Sequence, residues 1–347
     1  MVDVAWNSDG TQIVSSGFTN AETFIWDVAT GTIIKKVRLG TEIGVGVFWR
    51  PNSTQIASIG SGGKYAFVWD SVTGEILYAL PQHADFTTSA AWSPDGSLLA
   101  TGSIDQTVQL WDVTIRQSIR TLAHPSPVYA VAWSPAGDGI VSGDKSGTVR
   151  IWNALTGQTL HTLTGHTDAI EAVSWSSDGS RVASGSDDGT IRVWDATTGE
   201  LMDVIQSTAG AIKDLAWSPT DDQLAYIGRD TGNQGGLPEI VLPALPALTS
   251  ILFASSRDGN RDGNYEIYTM QPDGSGVTRL TTDAAEDGFY AVSVSEAYYG
   301  LSWSPDGTQL VFMSRRDGNL ELYKMNADGT AQTRLTNTSD PEAFTDW

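Results

Sequence analysis

The chain has no cysteine. Disulfide bridges, thiolate catalysis and zinc–thiolate centres are therefore excluded together, while the redox compartment stays open. Positive charge is scarce: 20 Lys and Arg stand against 41 Asp and Glu, a formal net charge of −21. A chain this acidic repels a phosphate backbone and an anionic bilayer surface. Neither nucleic acid nor membrane is expected as a partner, and a basic protein or peptide is favoured. No apolar run approaches the ~18 residues of a membrane span. The opening, MVDVAWNSDG, has neither the basic n-region nor the apolar h-region of a signal peptide. A cytoplasmic location is expected on the sequence as it stands, and a periplasmic or extracellular one if a leader precedes it. Amphipathic helices of useful length are missing as well.

What is present is a repeated strand pattern. Hydrophobic residues make up 40% of the 347 positions, enough for a packed core, and 36 Gly supply frequent turns. The stretch Gly165–Glu200 shows the unit most fully. Three runs, Ala169–Trp175, Arg181–Ser184 and Thr190–Trp194, alternate apolar with polar residues or are β-branched, which is strand chemistry. The turns between them, Ser176–Gly179 and Asp187–Gly189, use Asp for local hydrogen bonds and Gly for tight reversal. A fourth run, Leu201–Ile205, follows Thr198-Gly199. One such four-stranded meander cannot bury both faces, so it needs neighbours of its own kind.

The neighbours are there. Trp6, Trp49, Trp92, Trp133, Trp175 and Trp217 recur every 41 to 43 residues at the first strand. Trp26, Trp69, Trp111, Trp152 and Trp194 recur at the third, and all but Trp152 precede Asp. Periods near 40–45 residues mean a propeller of four-stranded blades. All 13 Trp, Trp303 and Trp347 included, fall into these two slots, so core packing accounts for them and none is left for an aromatic cage.

Residues 1–228 resemble the WD-repeat family, on the Gly-His before a first strand and the Trp-Asp that ends a third. The resemblance implies a polar network in each blade, here His166, Ser184, Asp188 and Trp194, and in an earlier blade His83, Thr101, Asp105 and Trp111. Its implied role is to fix blade geometry. A third set has His124, Ser142 and Trp152, but Ser146 stands where the Asp is expected, which predicts a weakened network; the first two blades lack the histidine. Residues 229–250 are rich in Gly and Pro and read as an irregular junction. From 251 to 347 the chain is similar to TolB-like propeller repeats, on LSWSPDGTQLVFMSRRDGN and the partial copy ILFASSRDGN. The interval from Trp217 to Trp303 spans two periods yet holds less than two full blades, so the two repeat dialects are expected to fuse there.

Other chemistry is weakly supported. The Asp-Gly pairs at Asp9, Asp95, Asp178 and Asp306 are turn residues rather than a catalytic carboxylate pair. The four histidines offer no convergent donor set, so no metal site is expected. Arg257, Arg261 and Arg316 each open an Arg-Asp-Gly-Asn turn that lacks the donor order of a calcium loop. Gly-x-Ser-x-Gly, a phosphate loop and His-Glu-x-x-His are all missing, so no cofactor and no enzymatic activity are expected. One long segment, 283–299, combines acids with aromatics: Asp283, Glu286, Asp287, Phe289, Tyr290, Glu296, Tyr298 and Tyr299. Long loops are often functional and Tyr-rich patches favour interfaces, which makes it a candidate partner contact.

The sequence therefore predicts an all-β chain folded as a single β-propeller of four-stranded antiparallel blades. Eight blades are favoured, with seven as the alternative, and residues 251–347 complete the ring begun by 1–228. The expected function is a non-catalytic scaffold, monomeric unless part of a longer chain, that binds protein or peptide on a propeller face. The alternatives are a sensor or substrate-gating propeller of a larger signalling protein or enzyme, and a periplasmic TolB-like envelope component. The abrupt ends favour a fragment of a longer polypeptide.

Overall fold

The computed structural model describes residues 3–16, 22–38, 43–61, 63–81, 83–207, 210–220, 224–229, 251–255, 266–270, 278–279, 301–314, 321–327 and 330–335. Every regular element among them is a strand. Seven sheets follow one another along the chain. The first holds β1 (Val4–Trp6), β2 (Gln12–Ser16), β3 (Glu22–Asp27) and β4 (Ile33–Arg38). The second holds β5 (Ile43–Trp49), β6 (Gln55–Ser61), β7 (Ala66–Asp70) and β8 (Ile76–Ala79). The third holds β9 (Thr87–Trp92), β10 (Leu98–Ser103), β11 (Thr107–Asp112) and β12 (Gln117–Ala123). The fourth is β13 (Val128–Trp133), β14 (Gly139–Asp144), β15 (Val149–Asn153) and β16 (Thr159–Leu163). The fifth is β17 (Ile170–Trp175), β18 (Arg181–Ser186), β19 (Thr190–Asp195) and β20 (Leu201–Gln206). The sixth has five strands: β21 (Ala211–Trp217), β22 (Leu224–Arg229), β23 (Ile251–Ser255), β24 (Glu266–Met270) and β25 (Thr278–Arg279). The seventh is β26 (Leu301–Trp303), β27 (Gln309–Ser314), β28 (Glu321–Asn326) and β29 (Thr333–Arg334).

First strands of successive sheets touch in the order β1, β5, β9, β13, β17, β21, β26 and back to β1. The sheets are thus the blades of a propeller, and the first strands surround its axis. Six of them are four-stranded and antiparallel throughout, while the sixth is mixed. Eight blades, the count favoured by the sequence, are not what the described strands form. The reason lies between Trp217 and Trp303, an interval two periods long in which the described strands form a single sheet. Strands β21 and β22 open it in one dialect, and β23 to β25 finish it in the other. The two halves meet through a parallel pairing, with Leu224 opposite Ile251 and Ile227 opposite Ala254. Each half blade thereby pairs the strand edge that it would otherwise leave open.

Local chemistry sets the turns. In Ser93–Leu98 the Asp95 carboxylate accepts bonds from the Ser93 hydroxyl at 2.6 Å and the Ser97 N–H at 2.9 Å, and Gly96 takes φ 70°. That φ is open to glycine at no steric cost. The core is a series of seams between sheets, not one central cluster. Ile151, Val149 and Leu163 of the fourth sheet pack on Ile170, Val182 and Trp194 of the fifth. The seams are tight enough to demand glycine at Gly185, where a Cβ would collide with Ile212 and Leu215 of the next sheet. First-strand indoles also bind across the seams: Trp92 donates to Phe48 O at 2.9 Å and Trp133 to Ala91 O at 3.0 Å. The ring closes the same way. Trp6 donates to Ser302 O at 3.2 Å, and Val4, Phe24 and Trp26 pack on Val311, Leu322 and Leu335.

Candidate functional site

The third strand of each of the first five sheets carries, one residue before its end, a buried indole whose N–H needs an acceptor. A hydroxyl on the second strand supplies it: Ser15 for Trp26, Ser58 for Trp69, Thr101 for Trp111, Ser142 for Trp152 and Ser184 for Trp194, at 2.7–2.9 Å. In three sheets this pair extends to a histidine and an aspartate. His166 lies 2.9 Å from Ser184 Oγ through Nε2 and 2.9 Å from Asp188 Oδ2 through Nδ1. His83 meets Thr101 at 2.7 Å and Asp105 at 2.9 Å in the same way. The donors can be ordered along the chain of contacts. The indole N–H fills one lone pair of the hydroxyl, whose own proton goes to Nε2, leaving Nδ1–H to donate to the carboxylate. Burial, only partly opposed by the aspartates, holds both imidazoles below their ordinary pKa and therefore neutral. Burial alone would push the Asp188 carboxyl up, but bonds from Thr190, the Thr167 N–H and His166 outweigh it and hold it low.

The expectation of a weakened network in the fourth sheet is corrected. His124 bonds Ser142 at 2.6 Å and Asp144 at 3.1 Å, and both the His124 and Asp144 side chains are 0% exposed. The aspartate has moved two positions upstream, to the end of β14, while Ser146 donates to it at 2.6 Å. A Ser–His–Asp order of this kind resembles a hydrolytic triad, but Ser142 and Ser184 are fully buried, so no substrate reaches either hydroxyl.

The ring axis carries a second set of polar side chains. Each of five first strands has a β-bulge, and the extra residue lies four positions before the inner tryptophan: Val45, Thr88, Tyr129, Glu171 and Lys213. Bulges re-aim a side chain out of the ladder. The flanking residues are buried and mostly apolar (Val128, Ala130, Ile170, Ala172, Ile212), whereas Thr88, Tyr129, Glu171 and Lys213 are half-buried. Within a repeat whose packing positions barely change, this one runs from hydroxyl to phenol to carboxylate to ammonium. Lys213 bridges Glu171 at 3.0 Å and Asp187 on the fifth sheet. Burial alone would lower its pKa, but the two carboxylates hold its ammonium charged.

One residue further along, two carboxyls flank the same axis. Asp3 accepts from the Val4 N–H at 2.8 Å and the Val47 N–H at 2.9 Å, joining the first sheet to the second. Asp214 accepts only from its own neighbour, the Leu215 N–H at 2.8 Å. Burial raises Asp3 to about 6. Burial, reinforced by Asp3, raises Asp214 to about 8. No group of three or more metal-ligating side chains occurs among the described residues.

The sequence reading missed Asp144, the bulged residues and the axial carboxyls. The one signal for the bulge position is its variety four residues before the aligned inner tryptophans, which carries no chemistry of its own. The loop 283–299, with Asp283, Glu286, Asp287, Phe289, Tyr290, Glu296, Tyr298 and Tyr299, lies outside the described residues, as do Arg257, Arg261, Arg316 and Trp347. No helix among the described residues is long and apolar enough to cross a membrane.

Residues 74–112, 116–153 and 157–195 match the WD domain, G-beta repeat. Each match begins in the turn before the outer strand of one sheet and ends at the Trp-Asp or Trp-Asn of the next, so the sequence repeat straddles a seam. An uncharacterized protein of Agrobacterium fabrum is 29% identical over 120 residues, which are 33% of this chain and 35% of that protein. The Tol-Pal system protein TolB of Geobacter sulfurreducens is 29% identical over 87 residues, which are 25% of this chain and 17% of that protein. The chain therefore matches well under two thirds of either relative. Both repeat dialects read from the sequence have a counterpart in these similarities.

Proposed function

We propose that this chain is a non-catalytic interaction scaffold that holds a protein or peptide partner at the mouth of its ring axis. The observation that supports this reading is the bulged position. At Thr88, Tyr129, Glu171 and Lys213 it is half-exposed and chemically different each time, while the packing around it stays nearly constant. A rigid ring that varies only its unpacked side chains is suited to recognition. Tyr129 and Glu171 hold the same place on adjacent first strands, and Glu171 already accepts from one ammonium, that of Lys213, so an aromatic ring and a carboxylate of the kind that suit a lysine or arginine side chain stand on neighbouring strands. The net charge of −21 steers a basic partner toward this surface.

Fluorescence titration with short basic peptides, set against acidic and neutral peptides of the same length, tests the reading. Saturable binding of the basic peptides, weakened about tenfold by Tyr129→Ala or Glu171→Gln at an unchanged melting midpoint, is expected. Binding that ignores both substitutions would overturn it.

A second reading is favoured by the stretch similar to TolB: a sensor, gating or envelope propeller within a larger assembly. It predicts a longer reading frame with a leader or a further domain. Fractionation of the native host would decide, since a cytoplasmic product defeats the envelope form of this reading.

A further inference from the structure

The outer strands β4, β8, β12, β16 and β20 each end their sheet, so among the described residues one edge of each backbone has no partner strand. Each also exposes aliphatic side chains, among them Ile33 and Ile34 on β4, Ile76 and Leu77 on β8, and Leu201 and Met202 on β20. Strand β4 differs from the others in its charge. It reads Ile-Ile-Lys-Lys-Val-Arg, whereas β8 and β16 contain no Lys or Arg, β12 has Arg120 alone, and β20 carries Asp203. Three cations on six residues are a concentration of positive charge in a chain of net charge −21. Lys36 shares its charge with Glu22 at 2.9 Å and Lys35 reaches Thr73 O at 3.4 Å, while Arg38 is exposed. The sixth sheet shows that this ring tolerates a fifth strand at its rim, because β25 lies outside β24 there while β21 still packs on β17 and β26.

We propose that β4 is a docking edge for an extended segment of a protein partner in which aliphatic and acidic residues alternate. Backbone hydrogen bonds to the open edge would add the segment as a fifth strand, the strand-addition mode of peptide recognition. The bulge at Ile34 puts Lys36 and Arg38 on one face of β4, opposite Phe24 and Glu22, and Val37 on the other. The segment's carboxylates would pair across the strand with Lys36 and Arg38, and its aliphatic side chains would extend the apolar seam that Val37 makes with Val47 and Trp69. The same cations repel a second copy of β4, where lysine would meet lysine, so the edge is guarded against self-pairing while open to an acidic strand. This site is separate from the axis mouth and takes a partner of opposite charge.

Amide hydrogen exchange of the whole chain tests the proposal with three synthetic peptides. One alternates glutamate with isoleucine and valine, one has lysine in place of glutamate, and one is the acidic peptide N-methylated at alternate backbone positions. The acidic peptide should slow exchange across β4 by about tenfold at saturation, the other two should not, and Arg38→Glu should weaken binding by about tenfold and admit the lysine peptide. Unchanged exchange in β4 with the acidic peptide would overturn the proposal, as would equal protection by all three peptides. Protection without peptide that grows with protein concentration would assign the edge to a second copy, and protection by anionic vesicles would assign it to lipid; either overturns it too.

Discussion

The turns beside the third-to-fifth sheets and the axis of the ring bury the same side chain with opposite results. Asp105, Asp144 and Asp188 sit in turns whose hydroxyls, backbone N–H groups and histidines all donate to them, and their pKa values are held down despite burial. Asp3 and Asp214 sit on the axis with two donors and one, and burial raises both. Burial raises an aspartate in both places, and the charge is decided by whether enough donors reach the carboxylate to outweigh it, as they do in the turns and not on the axis. The turn set holds strands together through its charge. The axial set weakens the ring whenever it ionises.

Four substitutions would break or sharpen that contrast. Asp144→Ala should have the largest effect, about 3 kcal/mol of lost stability in urea denaturation, because it strands a fully buried histidine with no water to replace the carboxylate. Asp188→Ala should cost less, about 2 kcal/mol by the same assay, because that side chain is 8% exposed and solvent can reach the vacancy. An unchanged midpoint in either variant would remove the network as a source of stability.

Asp214→Asn should move stability the other way. In the unfolded chain this carboxyl titrates near 3.8, and in the fold at about 8. Between those values the unfolded chain has released a proton that the fold keeps, so stability is greatest below the lower value and is lost as pH rises through the upper one. The amide cannot ionise. The variant should match the parent near pH 4 and melt higher at pH 9, by a modest margin because the side chain borders the axis and solvent screens it. Identical melting curves at pH 9 would contradict the axial half of the comparison. Ser58→Ala should have the smallest effect, about 1 kcal/mol, since the second sheet has no histidine and loses only the acceptor of Trp69.

Much of this was legible in the residues. Strand alternation, Asp-Gly turns and the tryptophan period arise from contacts a few residues apart, so they show in the sequence as spacing. The members of two of the three histidine networks were visible for the same reason, because each recurs at a constant distance from Trp111 or Trp194. Asp144 was not, since a shift of two positions along β14 leaves the carboxylate within reach of His124 but takes it off the repeat. The bulged residues were hidden by their variety: Thr88, Tyr129, Glu171 and Lys213 share a place in the ladder and no chemistry.

By itself the sequence determined the unit: a four-stranded antiparallel meander, its turns, its tryptophan slots and its need for neighbours, all consequences of short-range backbone and side-chain preference. Tertiary structure alone decided the ring. Whether the stretch between Trp217 and Trp303 makes two blades or one depends on Leu224 finding Ile251 across the junction, and closure depends on Trp6 reaching Ser302. It also decided which aspartates keep their charge, because the donors that settle it come from other strands and other sheets. Pairings over such distances leave no period in the chain, since they are selected by packing between finished sheets.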